Sequence, residues 1–97
     1  MLENKDIATL KQIANSGKIN KYIVGKSGID DNVIKLLENA LYKNELIKIS
    51  ILNTCSIPMI EIELTLIDIL KCEIICKIGR SIVIYKKSKN NKIKHLI

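Results

Sequence analysis

Ile57-Pro58-Met59-Ile60-Glu61-Ile62-Glu63-Leu64-Thr65-Leu66-Ile67-Asp68-Ile69-Leu70-Lys71 is the stretch on which the fold turns. From Ile60 to Leu66 apolar and polar residues alternate, as they do in a half-buried strand. Wound as a helix, the same residues put Glu61, Thr65, Asp68 and Lys71 on one side and a wide apolar arc opposite. Pro58 suits a first helical turn, where its missing N–H costs nothing. The stretch is also longer than a usual strand. A helix over 57–71 is the expectation.

Working outward, Leu46 to Leu52 reads as a strand, with Ile47, Ile49 and Ile51 on one face and Lys48 and Ser50 on the other. Before it, Ile29, Val33, Leu36, Leu37, Ala40 and Leu41 form one stripe at helical spacing, predicting a helix from about 31 to 43. Asp30 is its expected N-cap, and Asp31 suits the positive end of the helix dipole. Tyr22-Ile23-Val24 is aromatic and β-branched, predicting a strand over 20–24. Ile7, Leu10, Ile13 and Ala14 predict a first helix over 3–16, ended by Gly17. Downstream, residues 73–78 and 81–86 flank Gly79-Arg80, a two-residue turn with glycine first, as a type II′ hairpin requires. The order α-β-α-β-α-β-β implies a compact α/β domain, a four-stranded sheet covered by helices.

The totals narrow the function. Ninety-seven residues make one domain, read as residues 1–86 followed by a basic C-terminal tail, 87–97. No run approaches the roughly 20 apolar residues of a membrane helix. The N-terminus lacks the apolar core of a secretory signal, so a cytoplasmic protein is expected. Cys55, Cys72 and Cys76 are an odd number and read as buried fillers. The Cys72/Cys76 spacing offers half a metal site, which would need His95 and Cys55 to complete it. Neither metal nor cofactor is expected.

The net charge is +6, unevenly spread. Residues 1–29 carry a net +3, residues 30–73 a net −4 and residues 74–97 a net +7. Two basic ends around an acidic middle predict a one-sided basic patch, if folding brings the ends together. No nucleophile, base and orienting group cluster in the sequence, and the sole histidine, His95, lies in the polar tail. Catalysis is therefore not expected.

Gly25-Lys26-Ser27-Gly28 is the informative loop. Glycines let backbone approach a ligand closely, and loop amides beside a helix start can face an anion. The plain alternative is a tight strand-to-helix turn, which two glycines serve equally well. Lys26 and the basic ends favour phosphate. Asp30 and Asp31 would repel phosphate along the helix axis, so an anion must meet the loop itself. With no Phe or Trp and with Tyr22, Tyr42 and Tyr85 dispersed, an aromatic platform for bases is not expected. Recognition of phosphate and shape is.

Together these motifs resemble the CRM domain, the chloroplast RNA splicing and ribosome maturation domain, in its bacterial stand-alone YhbY-type form. The resemblance rests on Leu10-Lys11 with Ala14, on Val24-Gly25-Lys26-Ser27-Gly28-Ile29, on Asn44-Glu45-Leu46-Ile47-Lys48-Ile49, and on Ile78-Gly79-Arg80-Ser81-Ile82-Val83-Ile84-Tyr85-Lys86. The sequence departs from the family in a longer link before the first strand and in Lys71, where a glycine usually closes the third helix. The resemblance implies a fold akin to the C-terminal domain of translation initiation factor three, and a helix over 57–71. It implies binding of structured RNA, ribosomal RNA of precursor large subunits, as an assembly factor. A monomer with no membrane or small-molecule partner is expected. The expected RNA-binding residues are Gly25, Lys26, Ser27, Gly28, Lys11, Lys77, Arg80, Lys86 and Lys87. Two rivals remain at this level. One is a winged-helix DNA-binding regulator, whose recognition helix would carry Glu61, Glu63 and Asp68. The other is a small structural ribosomal protein.

Overall fold

The computed structural model describes residues 3–17, 19–25 and 28–88. Its elements are α1 (Asn4–Asn15), β1 (Asn20–Val24), α2 (Asp31–Asn44), β2 (Leu46–Ile51), α3 (Met59–Leu70), β3 (Glu73–Ile78) and β4 (Ser81–Tyr85). The four strands form one sheet in the order β1-β2-β4-β3, with β1 parallel to β2 and the other pairs antiparallel. A parallel pair needs a crossover, and α2 supplies it. The 57–71 stretch is helical, with Pro58 as N-cap, one position before the first turn.

Each helix ends where its chemistry directs. Asp6 accepts from the N–H of Glu3 at the start of α1, and Gly17 follows its end with φ +77°. Asp30 caps α2 by accepting from the N–H of Val33 at 2.9 Å. Two non-glycine residues have positive φ at helix ends, Glu45 after α2 and Lys71, in the left-handed conformation, after α3. In the β3–β4 turn Gly79 has φ +57° while Arg80 does not have positive φ, which fits type II′.

The sheet divides the interior in two. On one face α2 and α3 cover Val24, Ile47, Ile49, Ile51, Ile82 and Ile84, packed with Leu37, Leu41, Ile62 and Leu66. On the other, α1 alone packs Leu10 against Leu46, Ile75, Val83 and Tyr85. One 12-residue helix cannot cover four strands. α1 lies over β2 and β3, and on that face Lys21 and Ile23 of β1 stay exposed.

Beyond β4 the chain is latched. The buried Glu45 carboxylate accepts from the N–H of Ser88 at 2.7 Å, and its carbonyl accepts from the N–H of Lys86. Ser88, past the expected tail boundary at 86, is itself buried. The rest of the tail, with His95, lies outside the described residues. Cys55 and Cys72 are buried among the apolar residues, and Cys76 is half-buried. Burial pushes the Cys72 thiol up to about 11. Among the described residues no cluster of metal-ligating side chains forms, and no helix is long and apolar enough to cross a membrane.

Left-handed backbone costs an L-residue about 1–2 kcal/mol, and glycine avoids most of that. Lys71→Gly is therefore expected to stabilise the domain by about 1 kcal/mol, raising the melting temperature by roughly 4–8 °C. Thermal unfolding followed by circular dichroism measures it. An unchanged or lower midpoint would refute the cost assigned to this cap.

Candidate nucleic-acid interface

Three turns meet at one end of the sheet. β1 ends at Val24 beside Ile51 of β2, and the N–H of Leu52 donates to the Val24 carbonyl at 2.9 Å. The N–H of Ile51 donates to the Arg80 carbonyl at 2.8 Å. The Arg80 side chain reaches back over the same junction: Nε donates to the Ile51 carbonyl at 3.1 Å and Nη2 to the Leu52 carbonyl at 3.0 Å. Gly25, Leu52 and Arg80 are thereby stitched together, although the sequence separates them widely. The two carbonyls hold the guanidinium in place without neutralising it. Among the described residues Arg80 makes no ion pair with an acid.

The glycine loop closes on itself, with the N–H of Gly28 donating to the Gly25 carbonyl at 3.0 Å. Its two central residues, Lys26 and Ser27, lie outside the described residues. The glycines differ in what they do. Gly28 is buried with φ +68°, and a Cβ there would collide with Ile57 Cδ1. Folding alone accounts for it. Gly25 has no positive φ, and an added Cβ would make only ordinary contact with Leu52. It is the glycine that the backbone conformation leaves unexplained.

The remaining sequence candidates scatter. Lys11 is exposed on α1, on the one-helix side of the sheet. Lys77 points to the opposite face, where its ammonium sits 3.1 Å from the buried carboxylate of Glu63 on α3. That pair ties Lys77 to the fold. Lys86 and Lys87 follow β4, at the end of the sheet away from Arg80; six strand residues put Lys86 about 20 Å away. There they border a hollow with Glu38, Asn39 and Tyr42. Only part of the expected patch assembles.

Two lysines that the motif search passed over complete it. Lys21 pairs in register with Lys48, and both side chains lie on the one-helix face, Lys21 exposed and Lys48 half-buried. Lys48 was legible as the polar side of β2, but its neighbour across the strands was not. Neither has an acid partner among the described residues. The other end of the same face carries acid: the Tyr85 phenol is pushed up by burial first and then by the charges of Glu45, Asp6 and Glu73. The charge is thus graded along the sheet, with Arg80 at the glycine-loop end, the lysine pair midway and acids near Tyr85. Asp30 and Asp31 begin α2 on the other side of the sheet.

A family model described as CRS1 / YhbY (CRM) domain matches residues 2–86. The chain is 41% identical over 69 residues to "Probable RNA-binding protein YqeI" of Bacillus subtilis (strain 168), a match spanning 71% of this chain and 72% of that one. A solution structure of the hypothetical protein SAV1595 from Staphylococcus aureus, described as a candidate RNA-binding protein, superposes with a TM-score of 0.73 at 35% identity, over 95% of each chain.

The two glycines give opposite expectations. Gly28→Ala should cost about 2 kcal/mol or more, because strain and collision add. Gly25→Ala should leave stability within about 1 kcal/mol of the parent, since its backbone suits alanine. Urea unfolding of both variants tests this, and equal losses would refute the division of roles.

Proposed function

The chain belongs to the CRS1 / YhbY (CRM) domain family, and on that footing we propose that it binds structured RNA at the basic end of its sheet. The observation that carries the reading is the charge polarity of the one-helix face. Arg80 stands beside the glycine loop and the Lys21–Lys48 pair lies midway along the sheet, while Asp6 and Glu73 stand near Tyr85 at the far end. A phosphate backbone is attracted to the first and repelled by the second. Its path therefore crosses β1 and β2 and passes Arg80, whose free donors can fork onto phosphate oxygens. Lys26 and Ser27 join this set through the loop, and Lys11 extends it along α1. Lys86 and Lys87 would serve a second stretch of the same RNA.

The target that the family resemblance supports is ribosomal RNA of precursor large subunits, bound by an assembly factor acting in the cytoplasm as a monomer. The protein holds and positions RNA and catalyses nothing. A winged-helix reading has no footing here: α3 packs Ile62, Leu66 and Leu70 into the core and offers Glu61 and Asp68 outward, a poor surface for a major groove.

Binding of a stem-loop from large-subunit ribosomal RNA should weaken steeply with salt, log K falling against log salt with a slope of roughly −3 to −4 for about four phosphate contacts. Lys21→Ala and Lys48→Ala should each weaken binding and reduce the slope by about 1. Lys77→Ala, whose charge already serves Glu63, should leave the slope unchanged. Fluorescence-anisotropy titrations at several salt concentrations distinguish these outcomes. A slope that responds to Lys77 and ignores Lys21 and Lys48 would move the interface to the two-helix face.

A further inference from the structure

One row of side chains at the uncovered end of the one-helix face is unlike a phosphate site. Register places Ile23, Ser50, Ser81 and Ile78 side by side across β1, β2, β4 and β3. The two isoleucines are among the most exposed large apolar residues of the described chain, at 62% and 61%. Between them the serine hydroxyls lie 3.2 Å apart, sharing one hydrogen bond. Three strand spacings separate the isoleucines, about 14 Å, so the row is a shallow trough with apolar walls and a hydroxyl floor. Two hydroxyls carry two donors and four lone pairs. Their mutual bond uses one donor and one lone pair, leaving one donor and three lone pairs for a ligand.

We propose that this trough seats a ribose of an unpaired nucleotide, with the Ser50–Ser81 hydroxyl pair reading its 2′-OH. The inference rests on the RNA-binding reading and adds the element that tells RNA from DNA. A 2′-OH both donates and accepts, which matches a floor that offers both. The cations flank the row as a nucleic-acid strand requires. Lys21 and Lys48 lie two residues along their strands from Ile23 and Ser50, about 6.6 Å away, a step comparable to one nucleotide of backbone. Arg80 lies on the other side, one residue before Ser81. A sugar over the serines thus has a cation near each neighbouring phosphate. The isoleucines contact the apolar faces of sugar and base without needing an aromatic ring. A plain structural role, two small residues filling a gap, explains the mutual hydrogen bond but not the paired exposed isoleucines or the flanking charges.

The test compares two probes of one sequence: a stem-loop of large-subunit ribosomal RNA, and the same stem-loop with 2′-deoxy sugars in its unpaired loop only. The parent protein is expected to prefer the all-ribose probe about fivefold, the worth of one neutral hydrogen bond. In Ser50→Ala/Ser81→Ala the preference should vanish through loss of affinity for the ribose probe alone, with the melting temperature serving as fold control. Should the double variant unfold, Ser50→Ala by itself is scored for a reduced preference. A parent that binds both probes equally overturns the proposal and leaves RNA binding standing, as does a preference that survives the substitutions. A parent that binds neither overturns both readings. Self-association through this face, seen as a dimer that Ile78→Glu disperses, also overturns it.

Discussion

β2 is hydrogen-bonded along both edges, parallel to β1 and antiparallel to β4, and its side chains alternate between the two faces of the sheet. Ile47, Ile49 and Ile51 enter the larger core under α2 and α3. Leu46, Lys48 and Ser50 face the other way, Leu46 buried in the smaller core with Leu10 of α1 and the other two half-buried. A slip of one residue would exchange these sets, placing a lysine and a serine in the core and three isoleucines in water. At about 25–30 cal/mol per Å2 of apolar area removed from water, that loss is comparable to the net stability of a small domain. Burial on one face therefore fixes, with no further interaction, the row of polar groups displayed on the other.

Local pattern was enough for the elements because each one carries its period and its stop signals together. The stripe of α2 begins at a working cap, Asp30, and the hairpin turns at a glycine whose φ is positive. The ambiguous 57–71 stretch resolves as a helix because residues three and four apart, Ile62, Leu66 and Leu70 among them, meet one face of the sheet. Its alternation then leaves Ile60 and Leu64 in solvent. What local pattern could not supply was register between strands. Lys21 meets Lys48 only because β1 runs parallel to β2 at one offset, and Ser50 meets Ser81 across 31 residues.

Charge counted along the chain misjudged the patch for a related reason. Segment totals treat every lysine as free, but folding assigns partners. Lys77 is drawn to Glu63, a carboxylate that would be costly to bury alone. Lys86 and Lys87 are carried to the far end of β4, where Glu45 holds the backbone beyond them. Of the N-terminal basic residues, Lys11 and Lys21 both lie on the one-helix side of the sheet. The glycine loop divides similarly: Gly28 answers to packing, and Gly25 is left for function to explain.

Fixing a cation without cancelling its charge is the problem that the basic end solves. An exposed arginine gains little from phosphate if it must first give up the freedom of a long side chain. Here the backbone carbonyls of Ile51 and Leu52, left over where β2 ends, accept two of its hydrogens. They order the guanidinium and, being neutral, leave its field intact. The same carbonyls belong to the junction that the N–H groups of Ile51 and Leu52 tie to β4 and β1. Sheet pairing thus brings the end of β1 and the arginine to one edge, and part of the ordering that RNA binding would otherwise require is already present in the free protein.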